Sequence, residues 1–413
     1  MAGDDAETAG ARSSDRGASH RYRGGVIDFD RLRRWPDVEA PDLVAHDATD
    51  RLLLDTAEEA LVGHPDRVAV VGDRYGALAL GVAELVGPHP IRSHQDSRSG
   101  ELALEANTAR LGSPAVVVSH PLDATLVEGA RVVVLQLPRG LDALDEIAAL
   151  VARHAHPEVV VFAGGRVKHM STAMNDVLGR HFAEVRAGLA RQKSRVVTAS
   201  GPIRADASVW PRTERHGDLL VVAHGAAFAG ASIDIGTRAL LAALDDGPFR
   251  RGPSADDDST PPSWSVDGGL AVDLGCGTGV LATAWARARP DWRVVATDQS
   301  WAAVSSASAT AAANGLGDRV EVRRDDAGAS LPDGSADVVL LNPPFHVGAT
   351  VHAGIAHKLF DAAARILAPG GELWCVWNSH LAYRAALERT VGPTRQVVRT
   401  PKFTVTVSTR RRG

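Results

Sequence analysis

The sequence VDLGCGTGVL, which runs from Val272 to Leu281, joins a short apolar run to a glycine loop and then to an Ala-rich segment. This order predicts a strand, a tight loop and a helix that extends to Arg289. Glycine is required where φ is positive or where a ligand approaches main-chain atoms that a Cβ would shield, so Gly275, Gly277 and Gly279 are candidate ligand contacts. The free N–H groups at the start of the helix favour an anionic ligand group.

A second predicted strand, Trp292 to Thr297, leads directly to an acidic residue, Asp298. A carboxylate at this position, 19 residues after Gly279, can accept hydrogen bonds from both hydroxyl groups of a ribose. The two features together predict a cofactor that carries a nucleoside. Because NAD-binding units share the strand, the glycine turn and the acid, the loop alone leaves the class of cofactor open.

The turn Asn342-Pro343-Pro344-Phe345, which follows a predicted strand from Ala336 to Leu341, narrows this choice. An exocyclic amine on a ring is a poor nucleophile, and its nitrogen gains positive charge as it takes a methyl group. The Asn342 side-chain oxygen and the Pro343 carbonyl can hold its two N–H groups and stabilise that charge. The prolines stiffen the turn, and Phe345 can stack on a planar base. The alternative is a rigid proline turn with a core phenylalanine.

Together, VDLGCGTGVL, Asp298 and NPPFH (Asn342 to His346) resemble the ribosomal RNA guanine-N2 methyltransferases that use S-adenosylmethionine. The resemblance covers nearly the whole chain and is closer to the large-subunit enzyme than to the small-subunit one, because Gly72 to Leu80 and Pro401 to Thr406 also match. It implies a methyltransferase that modifies the N2 amine of a guanine in ribosomal RNA or a ribosomal subunit. It also implies an α/β fold of two tandem Rossmann-like class I methyltransferase domains, the first degenerate and the second catalytic.

The resemblance assigns roles to individual residues of the second half. Asn342 and Pro343 orient the target amine, Pro344 belongs to the same turn, and Phe345 stacks on the base, which must be flipped out of its helix or presented in a loop. The other assigned residues contact the cofactor, with Asp298 at the ribose and Asp325 or Asp326 at the adenine amine. They are Asp273, Gly275, Gly277, Gly279, Asp298, Asp325, Asp326, Asp234 and Gly236.

The chain departs from the family pattern before the turn Asp234-Ile235-Gly236. The family usually has Phe-Ser-Arg there, whereas this chain has Phe228-Ala229-Gly230, so any contact of that arginine is lost or made elsewhere. Two other interpretations stay open. Asn-Pro-Pro-aromatic turns also occur in adenine N6 and protein glutamine methyltransferases, although Phe345 and the duplicated partner domain favour guanine. The chain could also be a non-catalytic RNA-binding ribosome-assembly factor with a vestigial loop.

The composition is that of a globular protein with room for two domains. The chain has 413 residues, of which 45% are hydrophobic and 23% are charged. No run approaches the roughly 18 apolar residues of a membrane span, and the polar segment from Met1 to Arg23 does not have the pattern of a signal peptide. The two cysteines, Cys276 and Cys375, provide neither a disulfide framework nor the spacing of metal ligands. We therefore expect a cytoplasmic protein without a membrane or metal partner.

The first half contains a weaker copy of the glycine-loop pattern in VAVVGDRYGALAL, Val68 to Leu80. Gly72 and Gly76 align with the first and third glycines of the second half. Arg74 then stands at the middle glycine and Val70 at the acid of the strand. The chain is therefore predicted to be a duplication in which the first copy has lost its chemistry.

The copy continues to Gln136-Leu137-Pro138-Arg139, which stands where the Asn-Pro-Pro-Phe turn stands in the second half. Arg139 therefore replaces the stacking aromatic residue. This first copy is predicted to bind RNA, and the alternative is a purely structural partner. The predicted division is a disordered leader at 1–21, a degenerate domain at 22–205 and a catalytic domain at 206–413 that contains a flexible loop at 247–269.

The overall charge does not indicate a nucleic-acid partner, since the net charge is −5 and the pI is about 6.3. The segment from Arg180 to Arg204, however, contains six basic residues and one acid. Basic side chains in this segment could contact phosphates, as could the last basic residues, Arg410 to Arg412. The alternative is a solvated helix face and a frayed tail. The candidate RNA-binding residues are Arg139, Arg186, Arg191 and Lys193.

Overall fold

The computed structural model describes residues 27–41, 43–205, 207–246, 268–344 and 349–412. The predicted leader at 1–21 lies outside these ranges, as does the predicted loop at 247–269 except for its last two residues. The described residues form two α/β domains connected through a two-stranded hairpin. The prediction of two tandem Rossmann-like domains is confirmed.

The first domain is a seven-stranded sheet with a hydrophobic core on each face. Val68 and Val70 of its first strand pack into one core, and Ala69 and Val71 pack into the other. A strand that is buried on both faces is apolar at every position, which explains the continuous hydrophobic run. The elements are α1 (Ala48–Gly63), β1 (Val68–Val71), α2 (Ala77–Val86), β2 (Ile91–His94), α3 (Arg98–Leu111), β3 (Val117–Ser119), α4 (Ala124–Val127), β4 (Val132–Gln136), α5 (Leu141–His154), β5 (Val160–Arg166), α6 (Thr172–His181), β6 (Phe182–Ala187) and β7 (Ser194–Pro202).

The second domain repeats this plan. Leu340 of its central strand packs into one core and Leu341 into the other. A hairpin of β8 (Arg212–His216) and β9 (Leu219–Ala223) precedes it. The remaining elements are α7 (Ile235–Asp245), β10 (Leu270–Leu274), α8 (Val280–Ala288), β11 (Arg293–Asp298), α9 (Trp301–Ala313), β12 (Val320–Arg324), β13 (Ala336–Leu341), α10 (Ala349–Ile366), β14 (Leu367–Asn378), α11 (Arg384–Thr390), β15 (Thr394–Arg399) and β16 (Phe403–Thr409).

The two sheets have the same topology. The first has the order β3-β2-β1-β4-β5-β7-β6 and the second the order β12-β11-β10-β13-β14-β16-β15. Five strands of each sheet are parallel, and the last two are antiparallel additions. An identical order in both halves is what a duplicated ancestral unit produces.

The two domains contact each other through equivalent positions. The Arg98 N–H donates to the Gln299 carbonyl at 2.9 Å, and the Trp301 N–H donates to the Asp96 carbonyl at 2.7 Å. Counted from the paired ends of β2 and β11, Arg98 corresponds to Trp301 and Asp96 to Gln299. A reciprocal exchange of bonds is the mark of a two-fold interface. The two copies therefore pack locally as halves of a pseudo-symmetric dimer.

A second contact lies beside the predicted cofactor residues. The Arg324 guanidinium donates to the Glu101 carboxylate at 2.7 Å, and to the carbonyls of Gln95 and Asp96 at 2.7 and 3.0 Å. Only 6% of the Glu101 side chain and 20% of the Arg324 side chain are exposed. Arg324 ends β12 and directly precedes Asp325. The first domain therefore supports the edge of the second sheet on which the candidate site lies.

Candidate functional site

The candidate site lies at the carboxyl ends of the strands of the second sheet, where the strand order reverses. The chain moves outward from β10 to β11 and β12, and then returns to the other side of β10 as β13. Ligands of open parallel sheets bind at such a switch point. The loop after β10 carries the three glycines, β11 ends in Asp298, and Asn342 follows β13. Three strands thus bring the predicted groups to one crevice.

The glycine loop presents bare backbone to this crevice. Gly275, Gly277 and Gly279 have φ angles of +77°, +53° and +74°, a region that favours glycine. A Cβ on Gly275 or Gly277 would meet no heavy atom within 4 Å, whereas a Cβ on Gly279 would lie 2.8 Å from Ala307. The first two glycines therefore leave room for a ligand, and the third allows α8 to pack against α9.

Two carboxylates fasten this loop. Asp298 accepts hydrogen bonds from the Gly277 N–H at 3.0 Å and from the Ser300 N–H at 2.9 Å. Asp273 Oδ2 accepts from the Ala282 N–H at 2.9 Å in α8, and its buried Oδ1 has no partner among the described residues. Burial raises the pKa of Asp273 to about 7 and also raises the pKa of Asp298. Open glycines beside an unpartnered buried carboxylate oxygen fit a cofactor with hydrogen-bond donors and positive charge.

The two alternatives for the adenine contact differ in their partners. Asp325 Oδ2 accepts from the backbone N–H and the hydroxyl group of Ser330 at 2.8 and 2.7 Å. Both carboxylate oxygens of Asp326 instead face Lys358, whose Nζ lies 2.7 and 2.6 Å from them. Because both oxygens of Asp326 bond the lysine, whereas the bonds to Asp325 end on Oδ2 alone, these contacts favour Asp325 as an acceptor for a ligand amine.

Asn342 is held by the first turn of α7 and by the residue that caps this helix. Its Nδ2 donates to Thr237 Oγ1 at 3.0 Å and to Asp234 Oδ2 at 3.3 Å. Asp234 also caps α7 by accepting from the Gly236 N–H at 2.8 Å. A carboxylate only accepts hydrogen bonds, so the amide nitrogen faces it and the amide oxygen points the other way. Asn342 Oδ1 is buried and has no hydrogen-bond partner among the described residues.

This arrangement gives Asp234 and Gly236 a position that the sequence did not indicate. Both were predicted as cofactor contacts, and the structure places both against Asn342. A Cβ on Gly236 would lie 2.9 Å from Asp234 Oδ2 and 3.2 Å from Asn342 Oδ1, so a larger residue there would displace the carboxylate and crowd the amide. Sequence reasoning missed Thr237 altogether, because it lies 105 residues from Asn342 and no motif marks it. The contact of Asp234 and Gly236 with the cofactor stays a prediction.

In the methyl transfer that the resemblance implies, replacing Thr237 with valine should lower the rate about two- to tenfold. The change keeps the shape of the side chain but removes the acceptor of the shorter Asn342 hydrogen bond, and one such bond contributes about 0.5 to 1.5 kcal/mol. Single-turnover kinetics at saturating cofactor and RNA would measure the loss. Thr310→Val, which removes a buried hydroxyl group from α9, controls for destabilisation. An equal loss in both variants would contradict a positioning role for Thr237.

The rest of the Asn-Pro-Pro-Phe turn is described in part. Pro343 is buried and Pro344 is exposed. Phe345 and His346 lie outside the described residues. The family departure at Phe228-Ala229-Gly230 forms an exposed turn, in which Ala229 has a φ of +62° and Phe228 is 61% exposed.

The first domain has a glycine loop like that of the second, but its helix-capping carboxylate lies at a different position. Gly72 and Gly76 have φ angles of +79° and +100°. Asp73 Oδ2 accepts from the Ala79 N–H at 2.7 Å, which is the bond that Asp273 makes in the second domain. The prediction that Val70 marks a lost acid was therefore incomplete. The acid has moved from the strand into the loop and still caps the helix.

The predicted RNA-binding residues of the hairpin lie on an exposed surface. Arg186, Arg191 and Lys193 are exposed on the hairpin of β6 and β7 and on the turn between them. The alternative of a solvated helix face is wrong for them, because α6 ends at His181. The Lys193 carbonyl accepts from the Val167 N–H at 2.9 Å, which ties the tip of the hairpin to the end of β5.

Arg139 lies at a different feature of the same domain. It is exposed directly after β4 and lines a cleft at the carboxyl edge of the sheet. Arg74, Arg166 and His169 line the same cleft. Since Val167 is bonded to the hairpin tip, the cleft and the hairpin are neighbours at one edge of the sheet.

Neither a membrane segment nor a metal centre is found in the part of the chain that the structure describes. None of its helices combines the length and the apolar character needed to cross a membrane. Within the same ranges, no group of three or more His, Cys, Asp or Glu side chains could hold a metal ion.

Known families cover both domains. The family described as RLMG N-terminal domain matches residues 27–202, and the family described as Methyltransferase small domain matches residues 218–407. In overall fold the chain is similar to a 16S rRNA N2 methyltransferase from T. thermophilus, solved in complex with AdoMet and guanosine. The TM-score is 0.66 at 22% identity, over 89% of this chain and 92% of that one. The likeness therefore includes both domains.

Curated relatives match the chain over nearly its full length. It is 34% identical to a ribosomal RNA large subunit methyltransferase G from Streptomyces coelicolor, over 91% of this chain and 96% of the relative. It is 36% identical to the protein of that name from Pseudomonas paraeruginosa, with the same coverage. The family predicted from the sequence is thereby confirmed. The chain belongs to the ribosomal RNA large subunit methyltransferase G family.

Proposed function

We propose that this chain transfers a methyl group from S-adenosylmethionine to the exocyclic N2 amine of a guanine in ribosomal RNA. The observation that carries the proposal is the Asn342 amide at the sheet edge that also carries the glycine loop, because its buried Oδ1 has no hydrogen-bond partner among the described residues. The curated relatives are named as large-subunit ribosomal RNA methyltransferases, and the solved relative was bound to AdoMet and guanosine. Both names support this choice of substrate and cofactor.

The bound cofactor supplies an electrophilic methyl group on a sulfonium sulfur. Asn342 Oδ1 and the Pro343 carbonyl accept hydrogen bonds from the two N–H groups of the amine and aim its lone pair at that methyl group. The N–C bond forms as the S–C bond breaks, and the amine gains positive charge. Both oxygen atoms stabilise this charge because they are fixed before the reaction. One of the two protons of the methylated, positively charged nitrogen then leaves to solvent, so no general base is required before transfer.

An acceptor without a partner favours substrate binding, because leaving it unpaired costs free energy in the substrate-free protein. A buried acceptor that lacks a partner is destabilising by about 1 to 3 kcal/mol. A substrate N–H removes this cost on binding, and it binds more strongly once the nitrogen is charged. Asp234 and Thr237 support this role because they accept hydrogen bonds from the Asn342 Nδ2 group and so leave the oxygen as the amide's acceptor for a substrate N–H group. Phe345 is assigned to stacking on the flipped base.

The cofactor is assigned to the loop after β10 and the acids around it. Gly275 and Gly277 provide the open backbone, and Asp298 provides the acceptor for the ribose hydroxyl groups. Asp273 and Gly279 shape the loop from behind. Asp325 is preferred over Asp326 for the adenine amine, because Lys358 occupies the latter.

The product identifies the reaction. Purified protein, S-adenosylmethionine and ribosomal RNA from cells that lack this chain should yield N2-methylguanosine after digestion to nucleosides. N6-methyladenosine alone, or methylated glutamine in protein, would contradict the choice of guanine. A chain that binds RNA without binding the cofactor in a calorimetric titration would instead be an assembly factor. We place the reaction in the cytoplasm, where the ribosomes of the bacterial relatives lie.

We also propose that the first domain holds the RNA, with the β6–β7 hairpin as one contact. Arg186, Arg191 and Lys193 are all exposed, on β6 and on the turn between β6 and β7. Arg186 is paired with Glu184 at 2.9 Å, but 78% of its side chain remains exposed. Such an exposed pair contributes little to stability, so these cations are available to phosphates.

Changing Arg186, Arg191 and Lys193 to alanine together should weaken RNA binding and flatten its salt dependence. Each phosphate contact contributes about 0.7 to 0.9 to the slope of log K against log salt, so the slope should fall by about 2 to 3. Binding measured at several salt concentrations gives this slope. The matched control removes three other arginines of the domain, Arg67 and Arg131 directly before β1 and β4 and Arg153 in the last turn of α5. An unchanged slope in the hairpin variant would leave the hairpin without a role in RNA binding.

A further inference from the structure

We propose that the cleft of the first domain is a second nucleotide site, which holds an unpaired nucleotide of the substrate RNA by its base and its phosphate. The inference rests on the proposed function, because that function makes RNA the substrate. It assigns a ligand to the first domain, the copy that has none of the residues assigned to methyl transfer.

The cleft repeats the amide arrangement of the candidate active site. Gln136 follows the residue of β4 that pairs with the end of β1, just as Asn342 follows the residue of β13 that pairs with the end of β10. Its Nε2 donates to Asp50 Oδ1 at 3.0 Å. Asp50 is the third residue of α1, and Thr237, the partner of Asn342, is the third residue of α7. The duplication thus extends to the support of the amide.

The oxygen of this amide is also without a partner. Gln136 is only 9% exposed, and its Oε1 is buried with no hydrogen bond to any described residue. Gln136 lines the cleft. A ligand N–H group that enters this cleft can bond the unpartnered oxygen, because Asp50 already accepts from the amide nitrogen.

The groups expected to hold a cofactor are replaced in this copy. By strand register, Gln95 stands where Asp298 stands in the second domain, and it is buried. Arg74 stands at the middle glycine of the loop, so an arginine side chain replaces open backbone. The cleft therefore keeps an acceptor for an N–H group but has lost the ribose carboxylate. Binding without methyl transfer is what this combination permits.

The same cleft carries unpaired positive charge. Arg74 and Arg139 have no hydrogen bond or ion pair with any described residue, and both are exposed. Arg166 has a buried Nε without a partner, and its Nη1 lies 3.9 Å from Asp47. The pKa of His169 is lowered, first by desolvation and then by the charges of Arg139 and its basic neighbours. These guanidinium groups converge on one small space.

An N–H acceptor beside free guanidinium groups matches the chemistry of a nucleotide. Every base carries an N–H group on its pairing edge, and only an unpaired base can offer it to Gln136. The guanidinium groups of Arg74 and Arg139 can bind one phosphate in a bidentate manner. Asp47 also lines the cleft, but its Oδ1 is used by the Thr49 N–H at 2.6 Å. An enzyme that flips a guanine out of a helix leaves unpaired neighbours, and the cleft accepts one of them.

Binding of a labelled oligoadenylate of six nucleotides to the full chain tests the site, because adenine is not the proposed substrate of the second domain. We expect Arg74→Gln with Arg139→Gln to weaken binding about tenfold or more, since charge-assisted bonds are lost. Gln136→Met, which keeps the length of the side chain, should weaken binding severalfold. The matched control is Arg67→Gln with Arg131→Gln, which removes two charges at the amino ends of β1 and β4. This control should bind within about twofold of the wild type.

A second probe separates the base contact from the phosphate contact. An abasic oligonucleotide of the same length should bind equally to the wild type and to Gln136→Met. Equal weakening in the cleft and control variants would overturn the proposal, as would wild-type oligoadenylate affinity in Gln136→Met. Affinity for S-adenosylmethionine should be unchanged in the cleft variants. The proposed methylation has its own readout, the nucleoside product, so either proposal can fail without the other.

Discussion

Asn342→Ala should lower the single-turnover rate of methylation by about 10² to 10³, while the affinity for S-adenosylmethionine stays near that of the wild type. Removing one preorganised partner of a developing charge costs about 2.7 to 4 kcal/mol in activation free energy. The loss falls on the rate because Asn342 Oδ1 interacts more strongly with the charged amine of the transition state than with the neutral amine. The cofactor contacts, by contrast, lie on the loop after β10 and on Asp298.

A matched amide serves as the control for this prediction. Gln396 is exposed on β15, and Gln396→Ala removes an amide far from the crevice. It should methylate at the wild-type rate. Thermal unfolding should show that Asn342→Ala remains folded. Among the described residues, the variant loses only the two hydrogen bonds of Nδ2, and Asp234 still caps α7. Turnover of Asn342→Ala at the wild-type rate would refute the role assigned to the turn.

The sequence predicts the scaffold of the site well because the scaffold is built from local patterns. The predicted strand from Ala336 to Leu341 has the bounds of β13, and the predicted helix to Arg289 ends one residue earlier. The predicted strand from Trp292 to Thr297 is shifted by one residue in β11. Apolar runs and glycine turns are local signals, and strands buried on both faces leave little freedom in where they begin and end.

The sequence does not reveal which side chain completes which contact. Asp73 caps the helix in the first domain although its position in the alignment is that of Cys276, because a carboxylate can reach the same N–H from the loop or from the strand. Alignment by position therefore reports a loss where the structure shows a move. A motif search compares residue types at fixed spacing and is blind to such compensation.

Contacts between distant segments are the other part that sequence reasoning missed. Thr237 reaches Asn342 across 105 residues, and Arg324 reaches Glu101 across 223. Neither pair has a local signature, since the spacing is set by the fold. The predicted alternative that the first domain is a structural partner and the prediction that it binds RNA are compatible here. The contact between Arg324 and Glu101 lets the first domain support the second, and the basic side chains of the cleft and the hairpin supply positive charge for RNA.

Asp298→Ala should weaken S-adenosylmethionine binding by about 10² to 10⁴, the largest effect expected on the cofactor. Two hydrogen bonds from the ribose to a charged acceptor are lost, each contributing about 1.5 to 3 kcal/mol, and every 1.4 kcal/mol is about tenfold in affinity. Calorimetry measures the affinity and also the stoichiometry. We expect one cofactor per chain, because Gln95 stands at the equivalent position of the first domain.

The two N–H groups that Asp298 holds in the free protein require a separate control. The Gly277 and Ser300 bonds are also lost in Asp298→Ala, so part of the effect could come from a loosened loop. Asp298→Asn keeps a neutral acceptor and should lie between the wild type and the alanine variant. Asp318→Ala removes an exposed acid elsewhere in the domain and should bind normally. Two cofactors per chain would contradict the view that only the second copy binds the cofactor, because the glycine loop of the first domain would then bind it without a ribose carboxylate. Unaltered affinity in Asp298→Ala would contradict that view as well, because the carboxylate would then not be needed.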